Sequence, residues 1–224
     1  MLNDLGKKEE AIACFDKTIS LKPDHANAHL NKGDILKVMG KNSEAISCYD
    51  QALTHNPNLV SAWINKGSAL NDIGRKKEAL GSYDKAISLN PNSHIAYYNR
   101  GVALNEMGRK EEAIGFFDKS IRLSSSHASY FQKGLALNDI RRKKEAVVCF
   151  DVALHLNPSH ADTFYYKGIA LSDMRRHLEA SVCFDKALKI NPDHAGAKIK
   201  KELAMRTNSV PGAPVQKAGC CTIF

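Results

Sequence analysis

Apolar and small residues along this chain fall on helical faces, and the pattern returns on a fixed period. In residues 61–92, SAWINKGSALNDIGRKKEALGSYDKAISLNPN, Trp63, Gly67 and Leu70 stand at i, i+4 and i+7, which is one face of a helix. A second segment carries Ala79 and, four residues later, Tyr83. Gly74-Arg75 separates the two segments, and Asn90-Pro91-Asn92 stops the second. The glycine recurs as Gly33, Gly67, Gly101, Gly134 and Gly168, spaced by 34, 34, 33 and 34 residues. The alanine recurs at Ala11, Ala45, Ala79, Ala113, Ala146 and Ala180, and the ring four residues on at Phe15, Tyr49, Tyr83, Phe117, Phe150 and Phe184. Self-similarity at this period predicts stacked helical pairs rather than one central core. Gly67, Ala79 and Ala86 are small where two helices must approach; Trp63, Leu70 and Tyr83 fill the space between them.

The unit resembles a tetratricopeptide repeat, whose Trp, Leu-Gly, Tyr, Ala, Phe, Ala and Pro slots read here Trp63, Lys66-Gly67, Leu70, Ala79, Tyr83, Ala86 and Pro91. The resemblance covers residues 1 to about 205 and implies an all-α fold, a right-handed α-solenoid of helix-turn-helix repeats. It divides the chain into a partial repeat at 1–25 and repeats at 26–59, 60–93, 94–126, 127–160 and 161–194. A capping helix at 195–206 and a flexible tail at 207–224 follow. One departure recurs: the family's leucine before glycine is Lys32, Lys66, Arg100, Lys133 and Lys167, which suits a rim position with a snorkelling stem.

At the N-terminal end, Met1 to Leu5 reads as the stub of a first helix and Lys8 to Leu21 as a second one lacking its partner. A longer natural chain or a covering molecule would each account for its apolar residues Ile12, Phe15 and Ile19. The 94–126 repeat ends Ser124-Ser125-Ser126 where its neighbours have Asn-Pro, which reads as a polar loop or a phosphorylation site. In 195–206, Lys198 and Glu202 replace the repeat's aromatic and glycine, giving a soluble outer face. The final Cys221-Thr222-Ile223-Phe224 resembles the C-a-a-X prenylation signal, whose terminal Phe favours geranylgeranyl. A single lipid chain anchors only marginally, and Cys220 offers a second modification.

Composition changes this picture little. No run of about 18 apolar residues predicts a membrane-spanning helix, and no secretory signal opens the chain. Cys14, Cys48, Cys149 and Cys183 occupy one slot in four repeats, too far apart for disulfides or a zinc site; they read as small apolar packing in a reducing compartment. Histidines such as His25, His94, His127, His160 and His194 mark repeat junctions without ligand spacing, so no metal or other cofactor is expected. Nor is an enzyme: the chain has no phosphate loop and no nucleophile–base pair. The net charge of +8 concentrates in the turns between paired helices, at Lys7-Lys8, Lys41, Arg75 to Lys77, Arg109-Lys110, Arg141 to Lys144 and Arg175-Arg176. Ordinary solubility and contact with an anionic leaflet or acidic protein are both open readings of that ridge; nucleic acid is disfavoured without interleaved aromatics.

The face of each first helix opposite Trp63, Gly67 and Leu70 is the expected ligand groove. One column on it reads Asn31, Asn65, Asn99, Gln132, Tyr166 and resembles the asparagine ladder of O-linked N-acetylglucosamine transferase, which implies a grip on peptide backbone. Further columns read Asn71, Asn105, Asn138, Ser172 and Asp72, Glu106, Asp139, Asp173. The lysine slots that chaperone-tail clamps require are Leu30, Ile64, Tyr98, Phe131 and Tyr165. An acidic peptide is therefore disfavoured, and a neutral or basic extended segment with apolar anchors is expected. The whole reads as a non-catalytic cytoplasmic adaptor tethered to a membrane by its lipidated tail; a soluble adaptor or co-chaperone, or a fragment of a longer repeat protein, is the alternative.

Overall fold

The computed structural model describes residues 2–208. It is all-α, with twelve helices and no strand among the described residues. The chain divides into two compact units, the first ending at Ser124 and the second beginning at Ser125. That division falls inside the serine run where other repeats carry Asn-Pro. The first unit holds α1 (Leu2–Leu21), α2 (Ala26–Val38), α3 (Asn42–His55), α4 (Val60–Asp72), α5 (Lys76–Leu89), α6 (His94–Glu106) and α7 (Lys110–Leu123). The second holds α8 (His127–Asp139), α9 (Lys143–Leu156), α10 (Ala161–Asp173), α11 (His177–Ile190) and α12 (Ala195–Asn208). In the first unit α2 packs along α3, α4 along α5 and α6 along α7, with α3 and α5 also touching the next pair; the second unit repeats the arrangement with α8–α9 and α10–α11.

One contact fixes each pair. Gly33, Gly67, Gly101, Gly134 and Gly168 lie against the rings of Tyr49, Tyr83, Phe117, Phe150 and Phe184, where a Cβ would sit only 2.5–2.7 Å from ring Cε1. Those rings are at most 2% exposed, so they cannot yield. The alanines at Ala45, Ala79, Ala113, Ala146 and Ala180 are fully buried on the second helices. Trp63 stands outside this seam: it is half-buried beside Ile64, Ala86 and Ala96, and its indole N–H donates to Pro57 O at 2.8 Å.

Each turn inside a pair closes the same way. The N–H of Lys41, Arg75, Arg109, Arg142 and Arg176 donates 2.9 Å to the carbonyl of Leu36, Leu70, Leu104, Leu137 and Leu171, the six-residue closure of a Schellman turn. The residue at its apex is left-handed: Gly40, Gly74 and Gly108 in the first unit, but Arg141 (φ 64°) and Arg175 (φ 61°) in the second. Between pairs, Asn56, Asn90, Asn157 and Asn191 accept the backbone N–H two residues on, at 3.0–3.2 Å, so the asparagine before proline makes the stop.

Two terminal expectations are corrected. The α1 helix runs unbroken through Gly6, not as a stub and a second helix. Gly6 lacks the positive φ that Gly40, Gly74 and Gly108 adopt, so the helix continues through it. At the other end, α12 exposes Lys198 and Glu202 as expected, but also Ile199 (67%), Leu203 (52%) and Met205 (48%). Its outer face is therefore mixed: Ile199 holds the slot of buried Leu30 and Ile64, and no described helix follows to cover it.

Candidate functional site

The asparagine column does not act as one surface. Asn31 is exposed. The Asn65 amide donates 2.7 Å to Asp34 Oδ1, which also accepts the Tyr49 hydroxyl at 2.8 Å. Burial and that Asp34 bond both push the Tyr49 hydroxyl far above its ordinary range. Asn65 is thus half-committed to joining successive pairs, while the half-buried Asn99 makes no such bond.

The acidic column is largely neutralised. Lys37 Nζ lies 3.7 Å from Asp72, Lys76 Nζ 3.2 Å from Glu106 and Lys143 Nζ 2.6 Å from Asp173. Carboxylates already facing lysines give a weak field, so they do not by themselves select a basic ligand. In the asparagine column beside them, Asn71 donates to Glu106 at 3.1 Å and Asn138 accepts from Lys143 at 2.9 Å. The amide oxygens of Asn71 and Asn105 are buried without a partner. Asn138, Asp139 and Asp173 do come together in the second unit, around an open cavity of about 620 Å³ that Arg141 and Lys143 complete.

A feature of the second unit that the column reading overlooks is a run of rings along α8, α10 and α12. His127 lies 4.4 Å from His160, Phe131 5.1 Å from His160 and 5.8 Å from Tyr166, and Tyr165 5.1 Å from Tyr166 and 4.6 Å from His194, centroid to centroid. All six rings are half-buried, so each still presents a face. The sequence signal was the aromatic replacement of the clamp lysine. Tyr98, Phe131 and Tyr165 each pack on the core ring of their own pair, at 6.2, 6.2 and 6.1 Å with tilts of 51–52°. The junction histidines have a structural task as well. His25, His160 and His194 accept the backbone N–H three residues on at 3.2 Å, capping α2, α10 and α12. Burial and then the neighbouring His160 lower the His127 pKa, which favours a neutral, stackable ring.

Comparison with known families now bears on this geometry. A TPR-repeat profile matches residues 67–108; tetratricopeptide-repeat profiles match 26–59 and 161–194, and 1–25 and 94–127. Together these span more than half of the 224 residues. The chain belongs to the tetratricopeptide-repeat family. Among solved structures, YrrB, described as a TPR protein with an unusual peptide-binding site, is 25% identical with a TM-score of 0.68, covering 84% of this chain and 97% of its own. MamA is 26% identical with a TM-score of 0.67, covering 73% and 96%. PilF of Pseudomonas aeruginosa, 18% identical with a TM-score of 0.76 over 91% of each chain, shares the fold. No curated protein matches the sequence. Tetratricopeptide-repeat proteins are generally non-catalytic scaffolds, and these neighbours support a protein-interaction scaffold here.

The recurrent basic residue before the repeat glycine is more than a rim residue. Lys32, Lys66, Arg100 and Lys167, and Lys201 in the matching slot before Glu202, reach Asp16, Asp50, Asp84, Asp151 and Asp185 on the preceding helix at 2.5–2.6 Å. These tetratricopeptide repeats are therefore stapled to one another by an ion pair sixteen residues apart in sequence. The carboxylates are about half exposed, so each pair contributes roughly 0.3–1 kcal/mol. The basic ridge is partly paired: Arg75, Arg109, Arg142 and Arg176 bind Glu78, Glu112, Glu145 and Glu179 at 2.5–2.7 Å, and those bonds hold the glutamates below their ordinary range. Of the repeat cysteines, Cys149 and Cys183 are buried as expected, Cys48 is half-buried, and Cys14 is exposed on α1; all four lie outside disulfides. No metal-binding cluster occurs among the described residues, and none of their helices is long and apolar enough to cross a membrane. Cys220 and Cys221 lie outside the described residues.

Proposed function

We propose that the chain is a non-catalytic scaffold that holds an extended protein segment along the faces of its first helices. The observation that carries this reading is the run of half-buried rings in the second unit, from His127 through Phe131 and Tyr166 to His194. Rings with one free face accept proline and aliphatic side chains of an extended chain at little entropic cost, because they are already held in place. In the first unit Asn99 supplies an amide that can both donate to and accept from a peptide backbone. With Asp72, Glu106 and Asp173 facing lysines, the preferred segment is neutral with apolar anchors. The peptide-binding site attributed to YrrB is consistent with this use of the repeat. Selection from a random peptide library tests it. Enrichment of extended sequences rich in proline or aliphatic residues is expected, and failure to enrich any sequence removes the reading.

The second component of the proposal is a lipid tether at the cytoplasmic face of a membrane. Its support is the sequence Cys221-Thr222-Ile223-Phe224, with Cys220 as a second modifiable thiol. Detergent phase partitioning of the protein made in a eukaryotic cell, beside Cys221→Ser, tests this part alone. Partitioning abolished by the substitution supports the tether; aqueous behaviour of both leaves an unlipidated scaffold.

A further inference from the structure

We propose that the second unit docks directly on an anionic lipid surface through the exposed side chains of Val148, Leu178 and Val182. They are 61%, 55% and 54% exposed, on the outer faces of α9 and α11. The comparison that singles them out is internal to the chain. The repeat slot of Val148 and Val182 is held in the first unit by exposed Ser47, Gly81 and Gly115, and the slot of Leu178 by Ser43, Lys77 and Glu111. The fold tolerates polar or absent side chains there, so packing does not require valine or leucine.

The cations in the turns before these residues divide into paired and unpaired ones. Arg142 and Arg176 are held by Glu145 and Glu179, and Lys143 by Asp173. Arg141, Lys144 and Arg175 are exposed and carry no ion pair among the described residues. Lys144 stands one helical turn before Val148, and Leu178 one turn before Val182, so charge and apolar tip share a helix face. Met174 lines the same cleft as Arg141 to Glu145, which sets the two turns side by side within the unit. Arg141 and Arg175 occupy the left-handed apex where the first unit has glycine, so their side chains project from the turn at a conformational cost. The carboxylates on the same faces, Glu145, Asp151, Glu179 and Asp185, are held by Arg142, Lys167, Arg176 and Lys201. Aliphatic tips with Arg141, Lys144 and Arg175 in the adjoining turns therefore match a leaflet in which headgroups are negative and the layer beneath is apolar. No Phe, Tyr or Trp occurs in 141–148 or 174–182 for stacking bases.

This docking is independent of peptide capture and of any lipid on Cys221. The test therefore uses the full chain made in bacteria, which carries no prenyl group. Flotation is measured with phosphatidylcholine vesicles with and without phosphatidylserine, at low and raised ionic strength. Binding is expected only with phosphatidylserine and is expected to fall with salt. Lys144→Glu and Arg175→Glu should each weaken it roughly fivefold or more. The triple change Val148→Ser, Leu178→Ser, Val182→Ser should weaken it at least as much while keeping the parent melting temperature, because serine already serves both slots at Ser43 and Ser47. Absence of flotation while a basic amphipathic peptide floats would overturn the proposal, as would equal flotation of parent and triple variant. Equal binding to neutral vesicles would also defeat it. Binding to polyglutamate that ignores the triple variant would assign the cations to an acidic protein instead. A dimer that the triple variant dissolves without changing flotation would make the strip a contact between copies.

Discussion

Two glycines in one repeat should respond to the same substitution with opposite signs. Gly67 and Gly81 are both inside helices, α4 and α5, where alanine is favoured over glycine by about 1 kcal/mol. At Gly81 a Cβ meets nothing within 4 Å, so Gly81→Ala should realise that gain, about 0.5–1 kcal/mol. At Gly67 the new carbon would lie 2.6 and 2.9 Å from Cε1 and Cδ1 of Tyr83, a ring only 2% exposed. Relieving that overlap means separating α4 from α5 or forcing the ring off its rotamer, at roughly 2–3 kcal/mol. The overlap outweighs the propensity gain, leaving Gly67→Ala destabilised by about 1–2 kcal/mol. The variants should therefore melt on opposite sides of the parent, separated by roughly 4–10 °C in a circular-dichroism melt. Urea midpoints provide an independent check. If Gly67→Ala is as stable as Gly81→Ala, Tyr83 does not seat against that glycine, and the packing described for all five pairs is wrong.

Other positions give smaller effects with definite signs. Arg141→Gly and Arg175→Gly remove left-handed non-glycine residues, so each should raise stability by about 0.5–1 kcal/mol in denaturant titration; lowered midpoints would contradict the turn geometry. Glu78, Glu112, Glu145 and Glu179 are held below their ordinary pKa of 4.5 by arginine, so their stabilisation is present above that value and is lost as pH falls through the lower folded pKa. The melting temperature should accordingly fall below about pH 4.5, and less steeply in Glu179→Gln; identical slopes would remove the pairs from the account. Lys66→Met should cost at most about 1 kcal/mol, because Asp50 is half exposed; a loss of several kcal/mol would mean the ion pair does more than link neighbouring repeats.

The repeat was legible because its determinants are local and periodic. Gly67, Ala79 and Tyr83 announce a close helix pair at fixed offsets, and the same offsets hold at Gly134, Ala146 and Phe150. What joins one pair to the next was less legible, since the partner lies in another repeat. In the sequence Lys66 reads as a rim lysine and Asn65 as a groove amide, whereas the structure joins them to Asp50 and Asp34 of the neighbouring pair. Both need the stacking offset, which periodicity alone does not supply. The ring run suffered a different fate. Phe131 and Tyr165 stand out in the sequence only as missing lysines, and their neighbours His160 and His194 sit at the far end of the same repeat, out of register with the column. The path of α1 through Gly6 is not legible from the repeat register, which puts Gly6 in the slot of Gly40, Gly74 and Gly108 but does not fix its backbone in the left-handed turn.

Calorimetric titration of the intact chain with a library-selected peptide, beside Tyr166→Ala and Asn99→Ala, tests the scaffold reading most directly. Both side chains are half-buried on first-helix faces and lie outside the glycine–ring seam. The account predicts a retained cooperative fold, with a lowered melting temperature in Tyr166→Ala, where the Phe131 and Tyr165 ring contacts are lost. At a temperature where both variants are folded, affinity should be reduced about tenfold for Tyr166→Ala and several-fold for Asn99→Ala. Parent affinity in both variants would place the peptide elsewhere and contradict the first-helix faces as the binding surface.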